Sequence, residues 1–377
     1  MFTGILLYTT IWIVSCLIVH YHYNRQIAFN MELDECHAEY RHNIKMPIFT
    51  ALVISSLFTL FNVYVTTHSV AIGSDRQNYI LNFNGYRSTP SIGLRFVMDF
   101  VHLTGGDIQT LFYITTFVTT FITLIAYRLS KKANPYVFYL LCITQYFLGT
   151  LTALKQCYAS AFAVLFLVFI LEYNSQKSRL AAILCVTLSC LFHPAGYILI
   201  PIYIIVATEK RRKSIAPYIF ILLVIGLFFN KFMVAAAMLL RTTVPSLASK
   251  ILEYFSESSN SVQENINYSF LKGIPYYIIV LIGLVRRRDL RERIEHYDDY
   301  LIIVGTGAFI YLVSIYNAWL VRFVYFFSFV SFTFFSQLLK TMEIKENIII
   351  LNIVVQISLI LITYRFLYLV YKLYGGF

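Results

Sequence analysis

The stretch LAAILCVTLSCLFHPAGYILIPIYIIVA, Leu180 to Ala207, is long enough to meet a bilayer and holds one ionisable side chain, His193, at its centre. His193-Pro194-Ala195-Gly196 interrupts it, and basic residues stand at both ends: Lys177 and Arg179 before it, Lys210-Arg211-Arg212-Lys213 after it. Basic flanks lie on the cytoplasmic side of membrane helices. Two basic flanks therefore read as a segment that enters the membrane and comes back. Each arm has about 13 residues, or ~20 Å of helix, short of the ~30 Å hydrocarbon core. Pro194 and Gly196 supply the turn. His193 then lies at the tip of a hairpin, where non-helical backbone is tolerated only against protein or a wet cavity. An intramembrane ionisable residue points to function; the plainer reading is a break residue bonded to a neighbouring carbonyl.

The rest of the chain agrees with a membrane setting. Of 377 residues, 59% are hydrophobic and 13% charged, about half the charge of an ordinary soluble domain. The net charge of +11 does not imply nucleic acid, because the cations fall in short clusters between apolar runs and form no basic stripe. Cys16, Cys142, Cys185 and Cys190 fall in apolar runs, Cys36 in a loop and Cys157 at a helix start. No pair has ligand spacing, so neither disulfides nor a metal site is expected. Residues 2–19 lack a basic leader and a small-residue cleavage site and read as a first helix that is kept.

Apolar runs at about 2–21, 47–66, 109–128, 135–153, 156–173, 216–234, 270–285, 301–316, 323–339 and 347–364 read as spans. The expectation is an all-α integral membrane protein: a polytopic helical bundle of about 10 full spans plus the short broken-helix hairpin, about 12 membrane segments. It forms a single polytopic domain over 1–377, with long exterior loops at about 67–108 and 235–269. An outside N-terminus puts YRLSKK, QKSR, EKRRK, RRRDLRER and the Lys340–Lys345 loop inside, as the charge bias requires. Ile92–Leu103 and the stretch AMLLRTTVPSLASKILEYF, beginning at Ala237, have the pattern of amphipathic interfacial helices.

On the outer side several charges collect at helix ends: Asp75 and Arg76 after the second span, Arg87 and Arg95 in the first long loop, Lys155 at a span start, Arg241 in the second loop, and Arg322 before a Phe-rich helix. Lys155 and Arg322 each abut a membrane run, so each could instead snorkel to headgroups. Cations around a possible base suit an anion such as a lipid pyrophosphate. There is no P-loop, dinucleotide fingerprint or His-Glu-x-x-His pair, so any activated group must come with a lipid-borne substrate or an ion gradient.

Four elements in order carry a resemblance. GSDRQNY (Gly73–Tyr79) resembles the Gly-x-Asp-x-x-x-Tyr element of EpsG-family membrane proteins, LKQCYASAFAVLFL (Leu154–Leu167) its Arg-Gln-x-x-Ala helix start, LFHPAGYILIP (Leu191–Pro201) its Phe-His-x-Ser/Ala element, and RFVYFF (Arg322–Phe327) its late Arg-x-x-Tyr. Lys155 stands where the family usually has Arg, which weakens the case for a bidentate phosphate contact there. The resemblance implies a GT-C-like fold and a Wzy-type polysaccharide polymerase for O-antigen, capsule or exopolysaccharide. Such an enzyme joins polyprenyl-pyrophosphate-linked oligosaccharide repeat units on the periplasmic face of the bacterial inner membrane. It releases polyprenyl pyrophosphate and uses no metal or other cofactor. Its implied partners are those lipid-linked oligosaccharides, the bilayer, a flippase and a chain-length regulator.

With no metal, cations must take the negative charge that develops on the leaving group. Arg322 and Lys155 are the first choices, with Arg95, Arg87 and Arg241 closing over the site. The attacking hydroxyl needs a base; His193, with an ordinary pKa of about 6.5, is the first choice and Asp75 the second. Gln156, Tyr79 and Tyr325 are read as sugar contacts, although each tyrosine also suits plain packing. Two other functions fit the same composition: a flippase for the lipid-linked oligosaccharide, which would be expected to show two related halves, and a GT-C transferase using a polyprenyl-monophosphate sugar.

Overall fold

The computed structural model describes residues 2–34, 46–68, 74–85, 91–143, 146–151, 153–207, 215–255, 271–316 and 318–341. The expected span at about 347–364, Arg87 and the basic stretch 209–213 lie outside them. The described residues are helical throughout, without strands. They fall into two compact units, one formed by residues up to Ile204 and the other by Ile205–Met342.

The first unit contains α1 (Phe2–Asp34), α2 (Ile48–His68), α3 (Ser74–Phe83), α4 (Ile92–Leu103), α5 (Ile108–Leu129), α6 (Pro135–Ile143), a 3-10 turn at Phe147–Leu151, α7 (Leu154–Glu172), α8 (Gln176–Phe192), a second 3-10 turn at Pro194–Ile198 and most of α9 (Leu199–Ala207). Its core is built for lipid surroundings. Large apolar side chains face outward (Leu180, Ile183 and Leu184 on α8), while α8 buries a narrow stripe of Ser178, Ala182, Cys185 and Ser189. Small residues let helices approach closely, and Ser189 Oγ donates to the Ala159 carbonyl of α7 at 2.9 Å. The threonine ladder of α5, Thr115, Thr116, Thr119 and Thr123, bonds back to carbonyls one turn earlier, so its hydroxyls are buried without loss. Asn62 of α2 donates to Thr116, and Tyr8 of α1 donates to the Cys142 carbonyl of α6 at 3.1 Å.

The chain reverses at His193 as the sequence leads one to expect. Phe192, the last residue of α8, stacks on Tyr158 in the first turns of α7, with ring centroids 4.3 Å apart. Tyr203 of α9 meets Phe166 of α7 at 6.3 Å, about 12 Å further along that helix. The chain therefore runs up α8 to the start of α7 and returns along it. Gly196 makes the turn possible: a Cβ there would come within 2.7 Å of the backbone at Ser189 and Cys190.

The second unit contains α10 (Ala216–Leu227), α11 (Phe229–Leu240), α12 (Pro245–Phe255), α13 (Leu271–Val285), the one-turn α14 (Arg287–Leu290), α15 (Tyr297–Val313), a 3-10 turn at Ala318–Val324 and α16 (Tyr325–Thr341). Helix α15 is its centre, packed against α10, α13 and α16. Tyr276 of α13 donates to Ser328 of α16 at 3.1 Å, and Tyr297 of α15 donates to the Gly283 carbonyl at 2.5 Å.

Four helices among the described residues are long and apolar enough to cross a membrane, five if α10 and α11 count as one bent span. These apolar helices mark a membrane protein. The expected count of about 10 full spans is not reached among the described residues: α13 and α15, with 15 and 17 residues, are short of a full span, and two other runs are broken. The run at 135–153 is a helix to Ile143 followed by a 3-10 turn. The run at 216–234 bends by 74° at Phe228, where the hydroxyl of Tyr316 takes up the Leu227 carbonyl. A bend in apolar surroundings is tolerated when a side chain satisfies the freed backbone group.

Candidate active site

The stretch between α2 and α5 contains α3 and α4, which close over the starts of α5 and α7. Tyr79 and Phe83 of α3, Leu94, Met98 and Val101 of α4, Leu111 and Phe112 of α5, and Leu154 of α7 form one buried cluster. Helices α5 and α7 run in the same direction: Leu111 and Leu154 share that cluster, and at the far end Ser130 meets Glu172. Tyr79 is therefore 5% exposed and packs edge-on against Phe112 at 6.5 Å. Its ring is core, as the packing alternative has it.

Asp75 stands in the first turn of α3, within electrostatic range of the Lys155 ammonium. Arg76 turns toward α5: Nη2 donates to Gln109 Oε1 at 3.2 Å and the guanidinium lies 4.7 Å from the Phe112 ring centre. Its burial there lowers the guanidinium from the ordinary arginine value, and Nη1 is buried without a hydrogen-bond partner. In the sequence Arg76 is only one of several charges collected at helix ends. Nothing in the spacing announces Gln109 or Phe112, thirty and more residues away.

Helix α7 begins at Ala153 with no side-chain cap. Its first-turn N–H groups and the positive end of its dipole face the same end of the unit as Lys155. Gln156 is 5% exposed, and among the described residues its side-chain Nε2 has no hydrogen-bond partner.

His193 caps both sides of the break. Its N–H donates to the Ser189 carbonyl at 3.0 Å and its carbonyl accepts from Gly196 at 2.9 Å. Its ring Nδ1 accepts from the Ala195 N–H at 3.1 Å. Helix α4 is latched to this break. Ser91, the N-cap of α4, accepts from Leu94 N–H at 3.3 Å and donates to the Phe192 carbonyl at 2.6 Å. A Cβ on Gly93 would come within 2.8 Å of the Phe192 ring. One serine thus serves two helices, taking an orphan N–H from α4 and an orphan carbonyl from α8. No local pattern marks Ser91, whose partner lies a hundred residues away.

Asp75, Tyr79, Lys155, Gln156 and His193 therefore gather at one end of the first unit, around the start of α7. Arg95 belongs there by its helix, α4, and its side chain is exposed. In the second unit Arg322 is half-buried in the 3-10 turn before α16, Tyr325 opens α16, and Arg241 is exposed at the C-terminal end of α11. Arg87 lies outside the described residues. Among the described residues no group of three or more His, Cys, Asp or Glu is placed to hold a metal ion.

Compared with models of known families, residues 52–374 match that of the EpsG family. No curated protein and no solved structure matches the chain.

Proposed function

We propose a function from one premise: the chain belongs to the EpsG family. Membership suggests a polysaccharide polymerase-type role and a glycosyltransferase activity. In our reading the chain joins polyprenyl-pyrophosphate-linked oligosaccharide repeat units at the periplasmic face of a bacterial inner membrane and releases polyprenyl pyrophosphate. The growing chain is the donor, and a hydroxyl of the next unit attacks its anomeric carbon.

The observation that carries this reading is the start of α7. An uncapped helix start, the Lys155 ammonium and a buried Gln156 amide donor without a partner together form a set of donors suited to an oxygen-rich anion. Unsatisfied buried donors cost about 1–3 kcal/mol each, and a phosphoryl or sugar oxygen would recover that cost. Asp75 beside Lys155 adds a carboxylate within reach of an attacking hydroxyl. Lys155 acts as a point charge on the leaving group, and Arg95 lies on the neighbouring helix. Arg322, Arg241, Arg87 and Tyr325 enter the proposal on the sequence pattern alone. Tyr79 is withdrawn from sugar contact, because its ring is spent in the core.

The test uses the source strain deleted for this chain and complemented with variants at matched membrane levels. Wild type is expected to restore long polysaccharide. Lys155→Ala is expected to leave single repeat units on the lipid carrier, and Lys155→Arg to retain long chains. Loss of outward-facing single units in the deleted strain would point to a flippase instead.

A further inference from the structure

Two roles are open to His193 in that reaction, base or donor, and the geometry of the break separates them. A backbone N–H can only donate, so the ring nitrogen that meets the Ala195 amide at 3.1 Å, Nδ1, carries no proton. The neutral ring then bears its proton on Nε2. A nitrogen bearing its proton has no lone pair to take another, and whatever Nε2 meets, it meets as a donor.

Swapping the tautomer is opposed on every side. A proton on Nδ1 would face the Ala195 N–H. Turning the ring about its side-chain bonds would take Nδ1 away from the Ala195 N–H and cost that amide its acceptor, while the backbone that carries the ring is held by the Ser189 and Gly196 bonds at 3.0 and 2.9 Å and by Ser91 on the preceding carbonyl at 2.6 Å. The Gly196 turn has no slack, with Ser189 and Cys190 backbone already within 2.7 Å of where a Cβ would stand.

We propose that His193 acts as an Nε2–H hydrogen-bond donor to the departing pyrophosphate, and that Asp75 is the general base. The proposal deepens the polymerase reading and rests on it. As the acceptor hydroxyl oxygen bonds to the anomeric carbon, its proton passes to the Asp75 carboxylate. The bond from the anomeric carbon to pyrophosphate breaks, and the leaving oxygen keeps the electron pair. His193 shares its Nε2 proton with a leaving-group oxygen and does not give it up, while Lys155 balances the charge. Asp75 returns its proton to solvent after the product leaves. Ser91 is a positioning residue that holds the Phe192 carbonyl and so fixes where the imidazole stands.

Three substitutions at one position test the role, because each keeps a different part of the imidazole. Gln can place an N–H donor near Nε2, Asn can place an acceptor near Nδ1 and keep the turn capped, and Ala keeps neither. Membranes from the deleted strain carrying each variant would be assayed for polyprenyl pyrophosphate release and polysaccharide length, with protein level matched by blot. The expected result is His193→Gln within about tenfold of wild type, with His193→Asn, His193→Ala and Asp75→Asn all about 100-fold down. Equal loss in all three His193 variants would make the imidazole a base and overturn the proposal. Asn at least as active as Gln would make His193 a turn cap only, which also overturns it. Asp75→Asn at wild-type rate would remove Asp75 as the base. If wild type itself restores no polymer, the polymerase reading fails, and this role with it.

Discussion

Each end of α7 buries a polar side chain, Gln156 at one and Glu172 at the other, and the two are treated in opposite ways. At the far end Glu172, 8% exposed, accepts from Ser130 Oγ at 2.6 Å and from the Lys131 N–H. Around it Tyr173 donates to the Leu129 carbonyl at 2.5 Å, Lys131 lies over the Tyr173 ring, and Ser175 and Ser178 form a reciprocal cap on α8. Polar atoms there have found partners within the protein, which is the mark of a structural clasp. At the near end the helix has no side-chain cap, and Nε2 of Gln156, in its first turn, is buried without a partner among the described residues. A charge next to an apolar run says little by itself. What separates clasp from site is whether the neighbouring polar groups are already satisfied.

This contrast can be broken by mutation. The largest effect is expected at the near end: Lys155→Ala should lower polymer formation about 100-fold, equivalent to ~2.7 kcal/mol of transition-state stabilisation, with the thermal midpoint of the purified protein little changed. Glu172→Ala should do the reverse. It strands the Ser130 hydroxyl and the Lys131 N–H, so unfolding should be easier by about 2 kcal/mol, while turnover per folded molecule holds. A Glu172 variant that folds normally but cannot polymerise would erase the distinction.

Smaller effects sharpen it. Gly93→Ala pushes a methyl into the Phe192 ring and should cost about 1–2 kcal/mol, together with some activity, because the same ring precedes His193. Ser91→Ala removes the cap of α4 and the donor to Phe192 and should cost about 1 kcal/mol. Asp107→Ala should cost less. Asp107 is the N-cap of α5, and bonds from the Thr110 N–H and hydroxyl hold its carboxyl below the ordinary aspartate range. A depressed carboxyl contributes stability above its unfolded pKa and loses it as pH falls through the folded one. The difference between wild type and Asp107→Ala in thermal unfolding should therefore shrink under acid conditions.

The turn at His193 was legible because Pro194 and Gly196 each have one local meaning: no N–H to continue a helix, and no Cβ to obstruct a tight turn. The bend at Phe228 was not, because composition is unchanged by a bend and the group that allows it, Tyr316, lies in another helix. The basic run Arg286–Arg293 read as an orientation signal. The structure adds that Arg287 grips Asp298 with two bonds of 3.0 Å and Arg291 joins it at 3.0 Å, a pairing that no local pattern announces. Lys155 and Asp75 could be picked out as exposed-end charges, yet only the fold of α3 and α4 over α7 puts them beside each other. The same fold took Tyr79 into the core.

The most direct measurement is polysaccharide chain length in the deleted strain carrying wild type, Lys155→Ala or Glu172→Gln at equal membrane levels. Wild type and Glu172→Gln are expected to give long chains, and Lys155→Ala single lipid-linked repeat units. Long chains from Lys155→Ala would contradict that expectation, because the start of α7 would then be an ordinary helix end facing lipid headgroups.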